Sequence, residues 1–311
     1  MKIISIVTPC FNEEANIEEL HRRIATVMSA LPYDYEHLII DNCSTDGTIE
    51  KLRSLAAKDS RVKVIINARN FGHIRSPYHG LMQASGDAVV IIASDLQDPP
   101  ELIPELINKW EAGFKTVLLV KPASEESRVM FSIRYLYYRI ISKISDVSLV
   151  PNATGAGLFD REVVEVLRAL RDPYPYLRGL VCEIGFKIAT VSFKQPRRRR
   201  GFSKNNFYTL YDIAMLGVTS HSKVPLRVMT MAGFIFAVLS FIAALCFLVA
   251  KLMFWDYFQF GLAPLLIGLF FFMAMQMFFI GVIGEYIGAV LTHVRNVPHV
   301  IESGRINLDP P

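Results

Sequence analysis

The sequence predicts an α/β protein: a mostly parallel sheet covered by helices, then amphipathic interfacial helix and a two-helix transmembrane hairpin. Three observations predict it. Short Val/Ile-rich runs alternate with stretches of helical spacing over the first two hundred residues. Between Val228 and Gly288 the only charged residues are Lys251, Asp256 and Glu285. The chain is 52 % hydrophobic and 20 % charged over 311 residues, with mean hydropathy +0.32, so a charged body carries an apolar tail.

Ile3–Thr8 is the first apolar run, followed by a turn at Pro9 to Asn12. From Asn16 to Leu31, Ile17, Leu20, Ile24, Val27, Met28 and Leu31 recur at helical spacing. His37–Ile40 reads as a buried strand ending at Asp41, Thr45–Ala57 as a helix and Val62–Ile66 as a third strand. Ser76–Ser85 is a helix, Ala88–Ala93 a fourth strand ending at Ser94 and Asp95, and Pro100–Ala112 a helix that Gly113 stops. Thr116–Val120 is a fifth strand. Val/Ile strands separated by helices imply a largely parallel sheet, whose ligands gather at the carboxyl ends of the strands. Asp41 and Asp95 fall there.

Arg128–Ile144 reads as an aromatic-bearing helix, after a loop at Ser124–Ser127. Asn206–Ser220 has amphipathic spacing suited to a membrane interface or to core packing. Val228–Ala250 and Leu262–Ile283 are each long enough for a hydrocarbon core that takes about 20 apolar residues to cross. The expected divisions are a catalytic body over 1–205, a juxtamembrane helix over 206–227, two spans over 228–288 and a tail over 289–311. Lys223, Arg227, Arg295 and Arg305 flank the spans while Lys251 alone is charged positive in the linker, so both termini are expected in the cytosol, with the chain multi-pass in the cell membrane. The N-terminal run is too short for a signal-peptide core. Self-association through the interfacial helix and spans is left open.

The formal net charge is +4, and the basic run Arg197–Arg200 with Lys204 lies upstream of the spans. No aromatic platform accompanies it, so a phosphate or lipid headgroup is expected rather than nucleic acid. Four cysteines without metal-ligand spacing fit free thiols in a reducing compartment. His73 and His221 read as structural.

Three segments carry the donor chemistry: Thr8-Pro9-Cys10-Phe11-Asn12-Glu13-Glu14, Asp41-Asn42-Cys43-Ser44-Thr45-Asp46-Gly47-Thr48, and Ser94-Asp95-Leu96-Gln97-Asp98-Pro99-Pro100-Glu101. A strand-end carboxylate such as Asp41 can accept hydrogen bonds from a ribose or a base, while Ser44 or Thr45 could instead cap a helix. A nucleoside diphosphate calls for a hard cation, and Mg²⁺ takes one or two carboxylates and completes its shell with phosphates and water. Asp95 and Gln97, two residues apart, would face one side, with Asp98 behind them.

Together these segments resemble glycosyltransferase family 2 with its GT-A (Rossmann-like) fold, over roughly the first 160 residues. The segments Tyr176-Leu177-Arg178-Gly179-Leu180 and Arg200-Gly201-Phe202-Ser203-Lys204, the two spans, and Gly284-Glu285-Tyr286-Ile287-Gly288 extend the similarity. That order resembles the polyprenyl-phosphate branch, which includes dolichyl-phosphate mannose synthases and bactoprenol glucosyltransferases. The resemblance implies an inverting transferase that takes a hexose, glucose from UDP-glucose before mannose from GDP-mannose, to a polyprenyl phosphate with Mg²⁺ or Mn²⁺. It implies donor contacts from Pro9, Phe11, Asn12, Glu13, Asp41, Ser44, Asp46, Asn70, Gly72 and Ser94. Asp95 and Gln97 would hold the metal, supported by Asp98. Asp160, in Gly155-Ala156-Gly157-Leu158-Phe159-Asp160-Arg161, would be the catalytic partner that orients acceptor or sugar, unless it only pairs with Arg161. Arg128, Arg178, Arg198, Arg200, Ser203 and Lys204 would take the phosphates. Two positions depart from the family pattern: Ala93 where an aspartate is common, and Ala289 where an arginine is. A processive polysaccharide synthase is disfavoured, because neither Trp110 nor Trp255 sits in a QxxRW motif. A non-enzymatic nucleotide-binding scaffold is the remaining alternative, and Ala93 is the feature that keeps it open.

Overall fold

The computed structural model describes residues 1–121, 149–194, 215–219, 222–253, 262–295 and 297–309. Among the described residues eight strands form one sheet: β1 (Ile3–Cys10), β2 (Asp34–Asp41), β3 (Val62–Asn67), β4 (Ala88–Ile91), β5 (Thr116–Val120), β6 (Ala153–Asp160), β7 (Ile188–Ser192) and β8 (Glu302–Ile306). Their order is β7-β5-β6-β4-β1-β2-β3-β8. The central four are parallel, β6 is antiparallel to both β4 and β5, and β8 is antiparallel to β3. This is the mostly parallel GT-A arrangement. Its geometry has one consequence for function: β6 begins at the edge where β4 ends.

The central strands are buried on both faces, so alternate side chains feed two cores. Ile4, Ile6, Ile39 and Val64 meet α1 (Ile17–Ser29), α2 (Thr48–Lys58) and α4 (Ile103–Glu111) through Leu20, Ile24, Leu52 and Leu106. Val7, Leu38, Ile40 and Ile65 meet α3 (Gly72–Gln83), α5 (Arg161–Leu170) and α6 (Leu177–Glu183) through Tyr78, Leu81, Val164 and Leu180. Ile6, Ile39 and Ile40 are 0 % exposed. Cutting such a side chain back to alanine costs about 2–5 kcal/mol, so these residues fix the platform on which the loops stand.

Several element ends move from the expected positions. The helix expected at Ser76 starts at Gly72, with Pro77 inside it. The helix expected from Pro100 opens as a 3₁₀ turn, Pro100–Leu102, before α4 begins at Ile103, because Pro100 and Pro104 remove two amide donors near its start. Gly113 does stop α4: it adopts φ +94°, and its N–H bonds to the Trp110 carbonyl at 2.9 Å. Strand β6 is hidden by its glycines. A Cβ at Gly157 would lie 2.3 Å from the Val117 carbonyl oxygen, so the close approach of β5 and β6 requires glycine.

Two long helices follow: α7 (Val224–Met253) and α8 (Leu262–Val294). Both extend beyond the stretches expected from composition, and each is long and apolar enough to cross a membrane, with no buried residues in its most apolar window. Phe236 and Phe271 meet edge-on at 6.3 Å between them. The Tyr286 hydroxyl donates to the Ser222 carbonyl at 2.7 Å, and His293 Nε2 lies 3.4 Å from Asp172 Oδ1, linking the end of α8 to the body. Residues past α8 then return to the sheet as β8, a strand the sequence did not suggest. His79 pairs with Glu302 at 2.7 Å, and Arg305 bridges Glu302 and Gln83. The expected helix at Arg128–Ile144 lies outside the described residues, and of Asn206–Ser220 only 215–219 is described, as helix.

Candidate active site

Backbone strain marks one edge of the sheet. Asn12 after β1, Cys43 after β2, Leu96 after β4 and Asn152 before β6 have φ of 56°, 63°, 59° and 58°. Asparagine tolerates this left-handed region, but Cys43 and Leu96 have no such excuse. Non-glycine residues held there cost of order 1–3 kcal/mol each and cluster where geometry matters more than local comfort. All four lie at the carboxyl end of the parallel strands, the expected ligand edge.

The first two donor segments are clamped together there. Asn12 N–H donates to Ser44 Oγ at 2.9 Å, and the Thr45 N–H donates to Asn12 Oδ1 at 2.8 Å. Glu13 N–H donates to Thr48 Oγ1 at 3.0 Å, and Gly47 N–H to Glu14 Oε2 at 3.2 Å. Burial alone would raise the Asp46 pKa, but hydrogen bonds from Thr48 and from the Glu14 amide outweigh it and hold the carboxyl below its ordinary range. A third segment joins through Asn42. Its Oδ1 accepts from Asn67 Nδ2 at 3.0 Å and the Phe71 N–H at 2.9 Å, and its Nδ2 donates to Asn70 Oδ1 at 2.9 Å and the Gly72 carbonyl at 3.3 Å. Pro9, Phe11, Asn12, Glu13, Asp46, Asn70 and Gly72 are therefore brought to one place.

Asp41 lies beneath the turn that follows β2. It is 0 % exposed, and its oxygens accept from the Ser44 N–H at 2.9 Å, Ser44 Oγ at 2.5 Å and Cys10 Sγ at 3.6 Å. Its carboxylate holds the Ser44 turn from beneath. Ser44 and Thr45 do not cap α2, whose N-cap is Gly47.

The acidic turn after β4 stands beside this clamp. Ala93, Asp95 and Gln97 are half-buried, whereas Ser94, Leu96 and Asp98 are buried, and the left-handed Leu96 makes this segment a turn instead of an extended run. The Gln97 N–H donates to Asp95 Oδ1 at 3.1 Å. Asp98 is 6 % exposed, and its Oδ1 is buried with no hydrogen-bond partner. Burial and the neighbouring Asp95 push its pKa up to about 6, against the Ala93 N–H, Lys121 and Arg178, which act to lower it. Arg178, from α6, donates from Nη2 to the Thr154 carbonyl at 2.8 Å, at the start of β6. Two carboxylates, one with an unengaged oxygen, and two cations thus converge on one edge. Among the described residues no group of three or more His, Cys, Asp or Glu could hold a metal. A pair of carboxylates still suffices for Mg²⁺ or Mn²⁺ when phosphate oxygens complete the shell, so the residues fit.

Lys121 was missed in the sequence, although it follows β5 as Asp95 follows β4, and the same strand-end rule would have found it. Asp160 is the correction. It closes β6, which runs antiparallel to β4, and pairs in register with Ala88, the first residue of β4, so it lies at the opposite edge from Asp95. There it caps α5 by accepting the Glu162 N–H at 3.0 Å, and it takes bonds from Trp110 Nε1 at 2.7 Å and Lys115 Nζ at 3.1 Å. Burial would raise its pKa, yet these three bonds hold it below the ordinary value. It does not pair with Arg161, whose guanidinium binds the Ala84 and Gly86 carbonyls. Arg128, Arg198, Arg200, Ser203 and Lys204 lie outside the described residues.

Residues 5–168 match the model of "Glycosyl transferase family 2". The chain is 35 % identical over 299 residues to the bactoprenol glucosyl transferase of Shigella phage SfII, covering 96 % of each chain. It is 34 % identical over 295 residues to the uncharacterized glycosyltransferase YkcC of Bacillus subtilis, covering 94 % of this chain and 91 % of that one. It is 33 % identical over 296 residues to an uncharacterized glycosyltransferase of Synechocystis sp., covering 95 % and 93 %.

Proposed function

The chain belongs to glycosyl transferase family 2, and on that premise we propose that it transfers glucose from UDP-glucose to undecaprenyl or another polyprenyl phosphate, with inversion, at the cytoplasmic membrane face. The observation that carries the reading is the extent of the match to a bactoprenol glucosyl transferase: 96 % of both chains, which takes in the apolar hairpin as well as the sheet. The 30- and 33-residue helices α7 and α8 would anchor the catalytic body to the bilayer that holds the lipid. Strand β8 supports the orientation. It returns to the sheet that precedes α7, so a hairpin that crosses the bilayer twice leaves both its ends on the body's side.

The clamp of Asn12, Glu13, Asp46, Asn70 and Gly72 would take the nucleoside, with Asp41 positioning the Ser44 turn beneath it. Asp95 and Gln97 would hold Mg²⁺ or Mn²⁺, which when bound neutralises the diphosphate charge. Arg178 and Lys121 stand on the same edge and would stabilise the negative charge of the departing diphosphate. A phosphate monoester is ionised near neutral pH, its second pKa being about 6, so its oxygen attacks the anomeric carbon without a general base. Catalysis then rests on in-line positioning and charge stabilisation. The basic residues Arg128, Arg198, Arg200 and Lys204 would serve the acceptor phosphate.

The test is a donor screen with the purified full-length chain and undecaprenyl phosphate, reading the lipid product by mass spectrometry. Hexosyl-phosphate lipid from UDP-glucose is expected. Product from GDP-mannose alone would reassign the donor, and product from no nucleotide-sugar would overturn the reading.

A further inference from the structure

The segment beyond the hairpin meets the donor clamp at the end of β3. Strand β8 pairs Gly304 with Ile66 and Glu302 with Asn67, which leaves Ser303 as the extra residue of a bulge. Bulges re-aim side chains and recur beside active sites. Here the Ser303 hydroxyl turns onto the β3 backbone, 3.1 Å from the Ile66 carbonyl oxygen and 3.3 Å from that of Asn67. The next amide is held as well: the Ala68 N–H donates to the Ile301 carbonyl at 2.8 Å.

Asn67 carries that contact into the site. Its backbone lies on β8, while its side chain, 1 % exposed, donates from Nδ2 to Asn42 Oδ1 at 3.0 Å and to Ser76 Oγ at 3.1 Å. Asn42 in turn holds Asn70, Phe71 and Gly72. The same strand fixes the other side of this corner. His79 Nε2 lies 2.7 Å from Glu302 Oε1, and Arg305 joins Glu302 to Gln83, so two positions one turn apart on α3 are tied to β8. Residues 68–70 are exposed and belong to no strand or helix, yet one five-residue strand pins both flanks of that connection. A loop anchored on both sides is prepared for its ligand before the ligand arrives.

We propose that Ser303 and Glu302 are positioning residues for the donor. Acting through Asn67 and α3, they set the corner of Asn42, Asn70 and Gly72 where the nucleoside binds, so the segment that follows the membrane hairpin completes the donor site. This assignment deepens the family-based reading above and rests on it.

The test is steady-state transfer from UDP-glucose together with UDP binding by calorimetry, using the full-length chain in detergent below the Tm of each variant. Ser303→Ala removes the bulge hydroxyl, and Ser303→Thr keeps it. Glu302→Gln keeps the shape and removes the charge that holds His79 and Arg305. A nucleoside held less firmly before and during reaction raises KM and leaves kcat alone, so KM for UDP-glucose and Kd for UDP should rise about fivefold or more in Ser303→Ala and Glu302→Gln, with kcat within about twofold. Ser303→Thr should behave as wild type. Asn307→Gly is the control: Asn307 Nδ2 ties the same segment to the Ala56 and Val62 carbonyls at 2.8 and 2.9 Å, at the far end of β3. Its loss should lower Tm and leave KM unchanged. Wild-type KM and Kd in folded Ser303→Ala and Glu302→Gln would overturn the assignment alone, as would an equal rise in Asn307→Gly, which would mark general loosening. Failure of the wild-type chain to bind UDP or to use UDP-glucose would overturn the donor reading and this assignment together.

Discussion

Replacing Asp160 by alanine separates the two edges of the sheet. The change removes the α5 N-cap, at about 1 kcal/mol. It also orphans the Trp110 indole N–H, on a residue 8 % exposed, for about 1–3 kcal/mol. The Lys115 contact is half-exposed and contributes a few tenths of a kcal/mol at most. The expected loss is about 2–4 kcal/mol, or roughly 5–15 °C in Tm for a body of this size. Trp110 fluorescence in a Trp255→Phe background reports the melt of the body. Below the lowered Tm, kcat/KM should stay within about threefold of wild type, because Asp160 lies at the far end of β4 from Asp95. A drop in kcat of a hundredfold or more with an unchanged Tm would refute the placement and return Asp160 to the chemistry.

Two further predictions concern the platform. His37 is buried in β2, and burial, with His21 beside it, lowers its pKa to about 3. The folded form stays neutral while the unfolded chain protonates, so stability is intact above pH 6.5 and is lost as the pH falls from there toward 3. The loss at pH 5 is about 2 kcal/mol relative to pH 7, and urea melts of His37→Gln should show a flatter dependence over that interval. Gly157→Ala sets a methyl against the Val117 carbonyl, a backbone group that cannot swing aside. It should cost about 3 kcal/mol or more, measured by the same melts.

Much of the fold was legible because buried parallel strands are mostly apolar, as Ile3–Val7, broken only by Ser5, and Ala88–Ile92 are. The ligand edge followed from strand ends, which put Asn12, Asp95 and Gln97 in place. Strands β6, β7 and β8 were not legible. Gly155 and Gly157 erase the side-chain signal of β6, and β8 (Glu302–Ile306) is a half-buried edge strand whose partner β3 lies more than two hundred residues earlier. The misplacement of Asp160 has the same origin: strand direction is a property of pairing, so an antiparallel β6 carries its last residue to the far edge. Asp41 stands at the strand end expected for it, but its bonds to the Ser44 turn depend on a local reversal at Cys43 that residue type does not announce.

The most direct measurement is glucose transfer from UDP-glucose to undecaprenyl phosphate by the wild-type chain and Asp95→Ala side by side, with folding of both verified by their melts. The predicted result is lipid-linked glucose from the wild type and a loss of at least a hundredfold in Asp95→Ala. Equal product from both would contradict the claim that the acidic turn after β4 is where the sugar nucleotide reacts.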